Sequence, residues 1–112
     1  MADHIKISPA PGPVTVSAAG VTLGTSRHAL ELREGSYPPV LYVPRADIDM
    51  ARLEKTSRSS GCPHKGAASY YSIRTEAGVL ENAVWSYETP KPEVAAIAGH
   101  LAFYPDKVTL TR

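Results

Sequence analysis

The stretch Ala67-Ala68-Ser69-Tyr70-Tyr71-Ser72-Ile73-Arg74-Thr75, then Glu76-Ala77-Gly78, then Val79-Leu80-Glu81-Asn82-Ala83-Val84-Trp85-Ser86-Tyr87 decides the fold class. Two runs containing aromatic and β-branched residues flank a short turn that ends in glycine, which is how a β-hairpin reads in sequence. In the first arm Ala68, Tyr70 and Ser72 fall on one face by the two-residue period of a strand, and Ser69, Tyr71 and Ile73 on the other. In the second arm Trp85 and Tyr87 share a face.

Val40-Leu41-Tyr42-Val43 is the strongest single strand and Pro44 ends it. Val14-Thr15-Val16 and Val21-Thr22-Leu23 lie either side of Ala18-Ala19-Gly20 and read as a second hairpin. Its second arm is expected to continue through Ala29-Leu30-Glu31-Leu32-Arg33, where Gly24 and Gly35 favour strand over helix. Residues 4–8 read as a short strand within an extended N-terminal arm, residues 1–13, rich in proline. Residues 101–104 and 107–111 are expected to pair around Pro105-Asp106. Asp47 as an N-cap predicts a short helix over residues 48–54, and Pro90 and Pro92 open a second over residues 93–99.

Ten prolines and eight glycines among 112 residues exclude long helices. The sum, about eight short strands and two short helices, predicts a mainly β (α+β) fold with antiparallel pairing, as two packed sheets or a small barrel. No βαβ pattern appears, which disfavours a nucleotide-binding parallel sheet.

The length suits one domain spanning residues 1–112. With 43% hydrophobic and 21% charged residues the chain is ordinary for a folded protein. Its formal net charge is +1 with no basic block, so nucleic acid is not an indicated partner. No apolar run approaches the ~20 residues that span a bilayer, and the N-terminus lacks the apolar region of a secretory signal. A reducing cytoplasm is the expected compartment, in keeping with a single cysteine.

Chemistry concentrates around Cys62-Pro63-His64-Lys65-Gly66. A lone cysteine packs well as a small hydrophobe. Beside Lys65 and His64 it is also a candidate nucleophile, since neighbouring cations favour the thiolate. Lys65 is either a solvated turn lysine or a point charge at a pocket mouth, able to bind an anion or act as an electrostatic catalyst. Tyr42, Arg45, Trp85 and Tyr87 read either as core aromatics with a surface arginine or as an aromatic-walled pocket closed by a cation. Tyr71 and Glu81 complete the set of candidate ligand-binding residues. His4, His28, His64 and His100 show no metal-ligand spacing, so neither a metal nor another cofactor is expected.

Four blocks together resemble a known family: Tyr42-Val43-Pro44-Arg45-Ala46-Asp47, Cys62-Pro63-His64-Lys65-Gly66 running on to Tyr71, Glu81-Asn82-Ala83-Val84-Trp85-Ser86-Tyr87, and Ile97-Ala98-Gly99-His100-Leu101-Ala102-Phe103-Tyr104. They are similar to the DUF427 family, a domain of unknown function also labelled a nucleotidyltransferase domain, over residues 14–108. The resemblance implies a β-tent-like arrangement, two antiparallel sheets meeting at an angle. No Gly-Ser motif with paired aspartates for two magnesium ions accompanies the label.

Two functions are therefore expected as alternatives. One is a binding module that holds a small anionic or planar ligand against Tyr42, Trp85 and Tyr87, with Arg45 and Lys65 reading its polar group. The other is an enzyme using Cys62 or Lys65 for thiol chemistry or group transfer. Exposed strand edges make a homodimer compatible with either.

Overall fold

In the computed structural model, which describes residues 4–112, the hairpin at 67–87 lies at the centre of the molecule. Ten strands run through the described residues: β1 (Ile5–Pro9), β2 (Val14–Ala18), β3 (Val21–Ser26), β4 (Leu30–Glu34), β5 (Val40–Tyr42), β6 (Leu53–Cys62), β7 (Gly66–Thr75), β8 (Gly78–Ser86), β9 (Ala102–Phe103) and β10 (Thr109–Thr111). They form three antiparallel sheets, ordered β1-β4-β5, β10-β2-β3 and β6-β7-β8-β9. The expected mainly β class is observed, with three sheets in place of two.

The third sheet follows from the hairpin itself. Tyr70 lies opposite Trp85 and Tyr71 opposite Val84, so both faces of β7–β8 carry large side chains. On one face Tyr71, Ile73 and Val84 pack with Val14, Val16 and Leu23 of the β10-β2-β3 sheet. On the other, Ala68, Tyr70 and Tyr87 pack with Leu32 and Tyr42 of the β1-β4-β5 sheet. A single covering sheet would leave one of these faces in water. Burying a side chain such as Ile73 contributes on the order of 2 kcal/mol, so covering both faces is favoured.

The 14–23 hairpin forms as read. Its turn residues Ala19 and Gly20 both adopt positive φ, 50° and 78°, matching the twist of the flanking strands. Residues 30–34 are a strand as expected, but β4 leaves that hairpin and pairs with β1 and β5. This also corrects the N-terminal arm. From Ile5 opposite Glu34 to Pro9 opposite Leu30, β1 is a full sheet member, and Ile5 and Ile7 pack on the aromatic core. Residues 1–3 of that expectation lie outside the described residues.

Neither predicted helix forms as an α-helix. Residues 45–52 make two 3-10 turns, Arg45–Asp47 and Met50–Arg52, and the rest of the predicted 48–54 helix, Leu53 and Glu54, begins β6. The Asp47 carboxylate does not cap, because it accepts a 2.6 Å hydrogen bond from Ser26 Oγ; Asp49 instead accepts from the Ala51 N–H. The second segment, Pro92–Ile97, is also 3-10 and is broken at Val94. The expected last hairpin separates too. β9 pairs with β8 and β10 with β2, after the Lys107 and Val108 N–H groups both donate to the Tyr104 carbonyl and turn the chain away. No helix among the described residues is long and apolar enough to cross a membrane.

β3 passes so close to the 45–47 turn that only glycine fits at position 24. A Cβ there would overlap the carbonyl oxygen of Asp47. Gly24→Ala is expected to cost about 3 kcal/mol of stability, read as a lower urea midpoint with unchanged slope. A wild-type midpoint would contradict the close approach.

Candidate functional site

Between the β1-β4-β5 sheet and the aromatic face of β7–β8 lies a cavity of about 260 Å³. Its walls are Leu32, Val40, Tyr42, Tyr70, Trp85, Tyr87 and Tyr104, with Tyr37 and Pro38 at the rim and Glu34 and Lys65 as the charged pair. The aromatics interlock. Tyr42 meets Trp85 edge-on at 6.4 Å, and Trp85 lies against Tyr104 at 4.6 Å. Trp85 Nε1 donates to Tyr42 Oη at 3.4 Å. Burial pushes the Tyr42 phenol above its ordinary pKa and the Tyr87 phenol much further, so both stay neutral donors and acceptors.

Lys65 reaches this cavity from the turn between β6 and β7. The turn is held by its own Lys65 N–H to Cys62 carbonyl bond, and by Lys91, whose N–H donates to the Lys65 carbonyl and whose Nζ donates to the Pro63 carbonyl at 2.6 Å. Only 8% of Lys65 is exposed. Its Nζ donates to Glu34 Oε1 at 2.7 Å and lies 5.9 Å from the centre of the Tyr87 ring. Burial works against the ammonium, but the Glu34 hydrogen bond and the nearby Cys62 outweigh it, and the Lys65 pKa lies above the ordinary lysine value. The same hydrogen bond holds the Glu34 carboxyl below the usual range. Glu34 Oε2 faces His4 Nε2 at 3.5 Å.

A second polar cluster occupies the opposite face of β7–β8. Glu88 accepts from Tyr71 Oη (2.6 Å) and Arg45 Nη2 (3.3 Å) on one oxygen, and from Lys55 Nζ (2.9 Å) and Ser69 Oγ (3.1 Å) on the other. Arg45 also donates to the Gly99 carbonyl, Tyr71 Oη and Ser86 Oγ. These donors fill the acceptor capacity of the carboxylate.

Residues 6–112 match the family described as Domain of unknown function (DUF427). The chain belongs to the DUF427 family. Comparison with curated proteins gives no match.

Within this DUF427 domain the candidate residues divide between the two faces. Tyr42, Lys65, Trp85 and Tyr87 line one cavity together. Arg45 and Tyr71 do not, which corrects the expectation that Arg45 closes the aromatic pocket. Tyr71 is one residue out of phase with Tyr70, and Arg45 is committed to Glu88 and the Gly99 carbonyl. Glu81 is also displaced. It is exposed beside Asp106 and Lys107, four residues along β8 from Trp85 and across the irregular pairing between Leu80 and Val84. Cys62, at the end of β6, is half-buried against the aromatic cluster.

Sequence reasoning missed Tyr70 and Tyr104 as walls and the commitment of Glu34 to Lys65. Tyr70 was open to inference from its register opposite Trp85; Tyr104 and Glu34 arrive by tertiary packing alone. Glu88 was not singled out either, although its parity with Ser86 puts it on the face of Tyr71.

The donors around Glu88 lower its pKa from 4.5 to about 2, the Lys55 hydrogen bond contributing most. A carboxylate with a depressed folded pKa contributes stability above its unfolded value and loses it as pH falls through the folded one. Glu88→Gln is therefore expected to lower the melting temperature at pH 7 and to flatten its fall between pH 4.5 and about 2. Melts across that range check both. An unaltered slope would show that the cluster does not hold the charge.

Proposed function

We propose that this DUF427 domain is a binding module for a small planar molecule, seated between Tyr42, Trp85 and Tyr87 and read at one edge by the Lys65–Glu34 pair. The observation that carries the reading is that pair, opening into an otherwise aromatic and aliphatic cavity. A concave apolar site with a few convergent polar groups is the usual form of a small-molecule site.

Size and charge narrow the ligand. A cavity of about 150 Å³ accepts benzene, so about 260 Å³ suits one substituted ring or a compact fused pair. Glu34 neutralises Lys65, which disfavours a bare anion. A ring edge carrying an acceptor for the ammonium beside a donor for the carboxylate, as in a cyclic amide or imide, satisfies both. A second, more apolar hollow of about 610 Å³ shares Glu34, Tyr37, Pro38, Val40 and Trp85 with the first and offers room for an apolar substituent.

The enzymatic alternative, with Cys62 or Lys65 acting on the ligand, has less behind it. Lys65 keeps its proton at neutral pH, so it is not a free amine nucleophile, and its charge is already spent on Glu34.

A thermal-shift screen of single-ring and fused-ring heterocycles, nucleobases included, tests the proposal. At least one compound is expected to raise the melting temperature, with affinity falling tenfold or more in Trp85→Ala and in Lys65→Met. The reading fails if no compound stabilises the protein, or if the two substitutions leave a hit's affinity intact.

A further inference from the structure

Three metal-ligating side chains converge just outside the aromatic cavity. His4 precedes β1, Glu34 ends β4, and His64 stands in the turn before Lys65. Their placement follows from the fold. Antiparallel pairing sets Ile5 opposite Glu34, and the Gly35 N–H donates to the His4 carbonyl, so His4 and Glu34 emerge side by side. The Lys65–Glu34 bond brings the 62–66 turn against the same sheet edge and with it His64. One donor atom from each of His4, Glu34 and His64 lies within 4.8 Å of the others.

We infer that His4, Glu34 and His64 form a binding site for one divalent ion of the zinc class. The donor set is two imidazoles and one carboxylate, which is the composition of three-ligand zinc sites that keep a fourth position for water or substrate. Ligands about 2.1 Å from a tetrahedral ion stand about 3.4 Å from one another. His4 Nε2 and Glu34 Oε2 are already 3.5 Å apart, and the widest separation needs only a small side-chain adjustment of partly exposed groups. The two imidazole rings touch edge to face, with centroids 4.6 Å apart. Lys65 takes the other Glu34 oxygen, Oε1, and so fixes the carboxylate in the way that outer hydrogen bonds orient metal ligands.

The site shares Glu34 with the aromatic cavity and does not depend on a ligand there. Calorimetric titration of the untagged, chelator-stripped full chain with zinc chloride tests it. One ion per chain is expected. Binding is expected to weaken at least tenfold in each of His4→Ala, His64→Ala and Glu34→Gln, and to stay unchanged in His28→Ala, His100→Ala and Trp85→Ala. Cobalt(II) in place of zinc should give visible absorption bands that disappear in the same three variants. Circular dichroism of each variant checks that it is folded. If Glu34→Gln unfolds for want of a partner to Lys65, the double variant Glu34→Gln/Lys65→Met replaces it. Absence of saturable binding overturns the inference, as does binding untouched by the three substitutions or lost on His4→Ala alone. Trp85→Ala separates the two sites, since it should weaken heterocycle binding tenfold or more and spare zinc.

Discussion

Tyr70 and Tyr71 are neighbours in the chain whose side chains leave β7 in opposite directions, and both are buried. That requirement organises the molecule. Covering Tyr71 draws in the β10-β2-β3 sheet, and covering Tyr70 draws in β1-β4-β5. The first contact closes into an apolar core that includes Val14, Val16, Ile73 and Val84. The second does not fill, because tyrosine and tryptophan side chains lean on one another through edges and leave space between them. The cavity is thus a by-product of which face received the bulky aromatics.

The two faces also contrast in how they treat charge. Glu88 is surrounded by donors from four side chains, and nothing of its acceptor capacity remains for a ligand. Among the described residues, Glu34 has one strong partner and a second oxygen turned toward histidine. A saturated carboxylate holds structure in place; an unsaturated one beside a buried ammonium retains interactions to offer. The two carboxylates thus differ in how much of their acceptor capacity the described residues occupy.

Local pattern carried the hairpins. The Gly78 turn and the Ala19-Gly20 turn each sit between runs with a strand period, and both were legible. The strand at 40–42 was legible from its β-branched and aromatic residues. What failed depended on partners far away in sequence. Asp47 looks like a helix cap until Ser26 takes its carboxylate, and residues 101–111 look like a hairpin until β8 and β2 compete for the two arms. The site divided in the same way. Tyr42, Lys65, Trp85 and Tyr87 line one cavity, and their residue types and neighbours in the chain already suggest that grouping. Arg45 and Tyr71 were misassigned to the same wall because sequence does not say which sheet covers which face. His4, Glu34 and His64 are about thirty residues apart, and no spacing rule could have joined them.

Trp85 stands in the wall between the aromatic cavity and the apolar hollow beside it, and it is the only tryptophan in the chain. Its indole is half-buried, with one edge on Tyr42 and its flank on Tyr104. The intrinsic emission of the protein above the tyrosine band therefore comes from a single point, and that point borders both spaces. The molecule carries its own optical probe, one whose colour and intensity register the polarity on either side of that wall without any added label.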